Sequence, residues 1–268
     1  MSRITEKFAD LEKRREAALI PFITAGDPNL ATTLKILHAI EGAGADLIEL
    51  GIPFSDPTAD GPTIQRSSQR ALKNQPSIPA ILRIVRQFRR HSDLPLILFG
   101  YYNPFFHFGV KEFCQQASRA GADGILCVDL PPEESDELKR WTDASALDLI
   151  FLLSPTSGDD RIEMVARKSR GFIYYVSVTG VTGARPSFDR TLRSQVARVR
   201  KASGLPIGVG FGISTPQQAA WIAGFADAAV VGSSLMNAIE RAAGRDEKPR
   251  QAGRFVANLK RSMLKIKR

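Results

Sequence analysis

GAGADLIEL, residues 42–50, joins the end of a helical pattern to a short apolar run. It returns in altered form as RAGADGILCVDL at 119–130 and as IAGFADAAVVG at 222–232. Each copy runs from a helix end through glycine to an acidic residue and then into a short apolar run, the mark of a repeated β/α unit. Such runs occur at ALIPFIT (18–24), DLIEL (46–50), PLILFGY (95–101), GILCVDL (124–130), LDLIFLL (147–153), GFIYYVSV (171–178), LPIGVGFG (205–212) and DAAVVGS (227–233). They are nearly continuously hydrophobic, as parallel strands covered on their faces by helices must be. Between them lie helical patterns such as Ile78 to Arg90, with Ile81, Ile84, Val85 and Phe88 on one stripe. Eight such units in 268 residues predict an α/β protein, a (β/α)8 TIM barrel forming one domain over 1–268. An open doubly wound sheet is the alternative. Ile4, Phe8 and Leu11 recur at helical spacing and predict an additional N-terminal helix.

Composition narrows the function classes. The chain is 43% hydrophobic and 24% charged, ordinary for a globular protein. No apolar run approaches the ~18–20 residues of a membrane helix, and the charged opening MSRITEKFADLEKRREA lacks a signal-peptide core, so a cytoplasmic protein is expected. The net charge of +9 suggests nucleic acid until its distribution is examined. Residues 241–268 hold ten Lys or Arg and two acids, a local +8 that leaves +1 for the rest. Phe255, Leu259 and Met263 give this tail an apolar stripe, so it reads as a last helix docked on the body with a solvated basic face. Nucleic-acid binding has no aromatic interleaving or recognition motif behind it. Cys114 and Cys127 make neither a disulfide framework nor a metal-ligand spacing, and His38, His91 and His107 are scattered, so no metal site is expected.

In a barrel the chemistry lies at the C-terminal ends of the strands. Those ends are Thr24, Glu49, Tyr101, Asp129, Ser154, Ser177, Gly210 and Gly232. Glu49 stands between Ile48 and Leu50, where desolvation raises a carboxyl pKa toward the range of a group that both donates and accepts a proton. A structural, salt-bridged Glu is the alternative. The loop that follows, PFSDPTADGP (53–62), is stiffened by prolines, and turn formation alone accounts for Asp56. Asp60 lies where the loop can return over the mouth and present a second carboxylate. Three glycine-bearing segments, SVTGVTGAR (177–185), GVGFGIST (208–215) and VVGSS (230–234), follow the last three strands, the usual place for a phosphate site in a barrel. Thr215-Pro216-Gln217-Gln218 reads as a capped helix start. The glycines at 208, 210 and 212 follow the seventh strand rather than the first, so they are no dinucleotide fingerprint. Phe22, Tyr101 and Tyr174 add aromatic walls suited to a phosphorylated substrate with a flat apolar group. No Lys stands at a strand end to form an imine, which leaves proton-transfer cleavage or isomerisation.

The motifs PFITAGDP (21–28), LIELGIPFSDPTADGPTIQ (47–65), YYNP (101–104), VDLPPEE (128–134), YYVSVTGVTGAR (174–185), GFGIS (210–214) and VGSS (231–234) resemble, in order and over nearly the whole chain, those of the tryptophan synthase α subunits. That resemblance implies retro-aldol cleavage of indole-3-glycerol phosphate to indole and glyceraldehyde 3-phosphate. Glu49 matches the family's proton donor and acceptor, and Asp60 the acid that meets the indole N–H. Phosphate contacts fall on Gly183, Gly212, Gly232 and Ser233. Phe22, Phe99, Tyr101, Tyr174 and Phe211 would line the indole and glycerol region, with Thr182 in a second loop beside Asp60. The resemblance further implies a β subunit in an α2β2 complex, met near Asp56 and receiving indole through a tunnel. No cofactor is expected in this chain; pyridoxal phosphate belongs to β. Phe99, where the family is expected to carry an aliphatic residue, and the basic tail are the departures. A phosphosugar isomerase or epimerase and a non-catalytic activator of a β subunit are the competing readings.

Overall fold

The computed structural model describes residues 1–177, 186–210, 212–244 and 246–266, with backbone alone at 186–190. Among these residues nine parallel strands are formed. They are β1 (Ala18–Thr24), β2 (Ile48–Gly51), β3 (Leu96–Gly100), β4 (Gly124–Cys127), β5 (Asp148–Ile150), β6 (Leu152–Leu153), β7 (Ile173–Val176), β8 (Ile207–Gly210) and β9 (Ala228–Val231). Their order across the sheet is β5-β4-β3-β2-β1-β9-β8-β7-β6. The two ends of that order are separated in the chain by Phe151 alone. The run 147–153, expected as one strand, pairs with β4 through its first part and with β7 through its last, and so closes the barrel. Eight expected strands and nine observed segments are therefore the same architecture. The strands are shorter than their apolar runs because residues such as Val128 to Leu130 continue past the ladder into the loops of the mouth.

The repeated Ala-Asp pair, which follows glycine directly in two copies and Phe225 in the third, has a physical role at the opposite end. Asp46, Asp123 and Asp227 each stand just before a strand. Each donates its backbone N–H to the carbonyl of Leu19, Leu96 or Ile207 respectively, on the neighbouring strand. Each carboxylate accepts the N–H of that same residue, at 2.7, 2.8 and 2.8 Å. The strand start, where a backbone donor is otherwise unpaired, is thus satisfied on both sides. A cation from the helical layer completes each brace: Lys260 on Asp46, Arg89 on Asp123 and Arg200 on Asp227.

The N-terminal helix Arg3–Lys13 covers this same end. Ile4, Phe8 and Leu11 pack against Ala18, Ile20 and Leu47 in the barrel interior. Burying three such side chains stabilises the closure by about 2 kcal/mol each. The basic tail forms the helix Glu247–Met263, with Val256, Leu259 and Met263 buried and Phe255 partly so. Two of its cations serve the body: Lys260 joins the Asp46 brace, and Lys248 Nζ donates to the carbonyls of Ile239 and Ala242 at a helix end. Among the described residues no helix is long and apolar enough to cross a membrane. Cys114 and Cys127 are buried and form no disulfide.

Candidate active site

Strand register places the first acid. Glu49 lies level with Phe22 on β1 and Ile97 on β3 and shares their inward face. It is 1% exposed, and its Oε1 has no hydrogen-bond partner. Burial pushes its carboxyl from 4.5 to about 8. Among the described residues no cation reaches it, which speaks against the salt-bridged structural role that is the alternative reading of the sequence. An unpaired buried carboxyl costs free energy, and such cost concentrates at sites that use it.

Asp60 comes to the same cavity from the loop after β2. The loop is held by its own turns, Thr58 N–H to Asp56 carbonyl at 2.9 Å and Asp60 N–H to Pro57 carbonyl at 3.0 Å. Tyr101 fastens it from below. Its hydroxyl accepts the Ala59 N–H at 3.1 Å, which sets it near the Asp60 carboxylate, while its ring packs on Phe54. Burial raises the Asp60 carboxyl to about 6, and the Tyr101 hydroxyl opposes that rise. Tyr101 is thus brought to the site as the loop's anchor, and it does not line the cavity as the resemblance implied. The helix Pro62–Leu72 starts at once, with Gly61 at its N-cap and Pro62 in its first turn.

The two acids open onto a cavity of about 520 Å³. Phe22 and Phe99 meet edge to face across it, ring centroids 5.1 Å apart. Tyr174 is buried beside Glu49, and desolvation, then the Glu49 and Asp60 charges, hold its hydroxyl well above the usual range. Two strand-end glycines make room for these rings. A Cβ on Gly51 would lie 2.5 Å from Phe22 Cζ, and one on Gly210 would collide with the Tyr174 hydroxyl. Across from the acids stands a cradle of backbone. The helix Ser233–Arg241 begins at Gly232 with no side chain bonding its first N–H groups. Gly232, Ser233 and Ser234 line the cavity there, facing Gly212, whose φ of 82° is the left-handed region that favours glycine. The Ser234 hydroxyl ties the two loops by donating to the Ile213 carbonyl at 2.7 Å. Unpaired N–H groups and the helix dipole suit this end to an anion.

Of the residues expected at the site, Phe22, Glu49, Asp60, Phe99, Tyr174, Gly212, Gly232 and Ser233 converge on this one cavity. Thr182, Gly183 and Phe211 lie outside the described residues. Ile64 and Asn237 also line the cavity and were not foreseen. Asn237 is four residues beyond Ser233 on one helix, so helical spacing was the available signal there, whereas Asp60 precedes the helix that carries Ile64 and gives no such spacing. Other strand ends have structural duties. Thr24 Oγ1 lies 2.6 Å from Ser67 Oγ, and Asp129 accepts the Tyr102 N–H at 2.8 Å. Thr215 and Gln218 form the expected capping box.

A closed barrel with two carboxyls of unlike environment facing a glycine and helix-start cradle at its C-terminal rim defines the class: a (β/α)8 barrel enzyme built for proton transfer. Comparison with known proteins gives the rest. The family model for the tryptophan synthase alpha chain matches residues 8–264. The tryptophan synthase alpha chain of Geobacter sp. (strain M21) is 55% identical over 265 residues, 99% of each chain. The crystal structure of tryptophan synthase subunit alpha from Legionella pneumophila str. Paris is 40% identical, covers 99% of this chain and 100% of its own, and superposes with a TM-score of 0.93. A chain in a structure of Mycobacterium tuberculosis tryptophan synthase is 32% identical with a TM-score of 0.88, covering 98% of both chains. The chain belongs to the tryptophan synthase alpha chain family. It is the indole-3-glycerol phosphate lyase component of tryptophan biosynthesis, a carbon–carbon lyase that releases indole and glyceraldehyde 3-phosphate.

Proposed function

We propose that Glu49 and Asp60 divide the chemistry of this cleavage according to their pKa values. With a carboxyl at about 8, Glu49 is protonated at neutral pH and delivers its proton to C3 of the indole ring. With a carboxyl at about 6, Asp60 is ionised there and pairs with the ring N–H as positive charge develops on it, favouring the indolenine tautomer. Glu49, now a carboxylate, takes the proton of the glycerol hydroxyl. The C–C bond breaks, its electrons flow into the ring, and the hydroxyl carbon leaves as the aldehyde. The observation that carries this reading is the buried Glu49 oxygen with no partner, at the wall of the cavity Asp60 also lines.

The substrate phosphate takes the cradle of Gly212, Gly232 and Ser233, to which the family resemblance adds Gly183. Phe22, Phe99 and Tyr174 enclose the ring and Tyr101 holds the loop; the family resemblance adds Phe211 to the ring contacts and Thr182 to the neighbourhood of Asp60. These proton transfers need no cofactor in this chain, and the whole of 1–268 serves as one barrel domain in the cytoplasm. A β subunit carrying pyridoxal phosphate docks on the loop of Ser55, Asp56 and Thr58, whose side chains are exposed. It receives indole within an α2β2 complex. The pH–rate profile for indole release tests the division of labour. Activity should rise as Asp60 ionises near pH 6 and fall as Glu49 loses its proton near pH 8. A profile flat between pH 5 and 9 would contradict it.

A further inference from the structure

The helix Pro62–Leu72 stands between the two halves of the site. At its start, Gln65 Nε2 donates to the Asp60 carbonyl at 2.9 Å, so the helix holds the residue that carries the second acid. On its other side it faces the helix Ser233–Arg241, whose first residues form the phosphate cradle. Thr63 Oγ1 and Arg66 Nη2 approach Asn237 Oδ1 only at 3.3 and 3.4 Å. Arg70 makes the strong link. Its Nη1 donates to Glu240 Oε1 at 2.5 Å, while Nε and Nη2 grip the buried Asp27 at 3.0 and 2.7 Å.

Nothing local calls for this arrangement. Glu240 sits in the last turn of its helix, where a carboxylate opposes the helix dipole. Its favourable interaction is tertiary, with Arg70 and more distantly Arg66 at 3.5 Å. Asp27 is 4% exposed on the loop after β1, so the bidentate pair ties Arg70 to the barrel rim itself. One guanidinium therefore fixes three elements: the rim of β1, the helix that follows Asp60 and the helix that opens with the phosphate cradle. Arg70 does not line the cavity.

We propose that Arg70 is a positioning residue, which with Glu240 couples occupancy of the phosphate cradle to the hold of Asp60 on the indole ring. The inference rests on the reading that Asp60 meets the indole N–H and that Gly232 and Ser233 receive the phosphate. An anion drawn onto the start of the Ser233–Arg241 helix shifts or stiffens that helix as a body. Glu240 passes the change to Arg70, and Gln65 passes it to Asp60. Coupling of this kind is reciprocal and is measured as a ratio of affinities.

The test is the affinity of the full chain for indole, by calorimetry, with and without saturating glycerol 3-phosphate. In the unmodified chain glycerol 3-phosphate should tighten indole binding roughly tenfold, within the usual span of coupling between sites. Glu240→Gln cuts the link while leaving the Arg70–Asp27 pair intact. It should bring the ratio below about twofold, with unchanged affinity for glycerol 3-phosphate alone. Arg70→Lys keeps a charge but loses the planar fork and should give the same loss. A merely structural pair would lower the melting temperature and leave the ratio intact, which overturns the proposal, as does absence of coupling in the unmodified chain. Asp60→Asn separates the two levels. If it leaves indole affinity and the ratio unchanged, the Asp60 reading fails. If it abolishes the ratio while Glu240→Gln and Arg70→Lys preserve it, only the role of Arg70 fails.

Discussion

Replacing Glu49 by Gln should make the protein more stable, and increasingly so as pH rises. In the folded chain this carboxyl titrates at about 8, against an ordinary 4.5, because it is 1% exposed, with no cation beside it among the described residues. Between those values the folded state keeps a proton that the unfolded state has released. Stability therefore falls as pH rises through this window, by up to 1.36 kcal/mol per pH unit, and levels off above the folded pKa. Gln carries no proton to lose, so its own unpaired amide costs the same at every pH. Between pH 5 and pH 9 the difference in unfolding free energy should move in favour of Glu49→Gln by about 4 kcal/mol. Urea unfolding followed by circular dichroism, on both proteins at pH 5, 7 and 9, measures it. Titrations of Asp60 and Tyr174 are common to the pair and cancel to first order. A difference that changes by less than about 1 kcal/mol over that range would refute the claim that Glu49 is buried without compensation.

Other perturbations address other parts of the account. Tyr101→Phe removes the hydroxyl that holds Ala59 and lowers the Asp60 pKa, so the acid limb of the pH–rate profile should move to higher pH. The loss of about 1 kcal/mol of positioning should cut kcat roughly fivefold; an unmoved acid limb would show that Tyr101 does not touch Asp60. Gly210→Ala sets a methyl against the Tyr174 hydroxyl, and it should cost about 1–3 kcal/mol of stability and raise KM for the substrate. Normal kinetics there would show that the ring has free space to move. Asp46→Ala unpairs the Leu19 N–H and leaves Lys260 with Glu16 alone, at 3.7 Å, at the closed end of the barrel, and should destabilise by about 2–3 kcal/mol with kcat unchanged. Lost turnover in a folded variant would break the separation between the braced end and the catalytic rim.

The barrel was legible because its repeat has a local cause. The Asp of each copy must precede its strand to meet the donor of its neighbour, so the signal is written in consecutive residues. Glu49 was legible for a similar reason, as a charge inside DLIEL has no local compensation. What escaped depends on contacts between distant segments. Asn237 reaches the cavity from a helix, where no strand alternation marks it. Tyr101 reads equally as wall or anchor until the loop is folded onto it. The tail's charge hid two distinct duties, because Lys260 finds Asp46 more than two hundred residues away. Ser55 and Asp56, by contrast, are exposed in a turn, as their sequence suggested.

The most direct measurement is indole release from indole-3-glycerol phosphate by the purified chain, with and without a β subunit, beside Glu49→Gln. Release should rise when β is present and fall about 10²–10⁴-fold in the variant, the loss typical of a general acid–base. A variant that releases indole at the unmodified rate would contradict the assignment of the proton to Glu49.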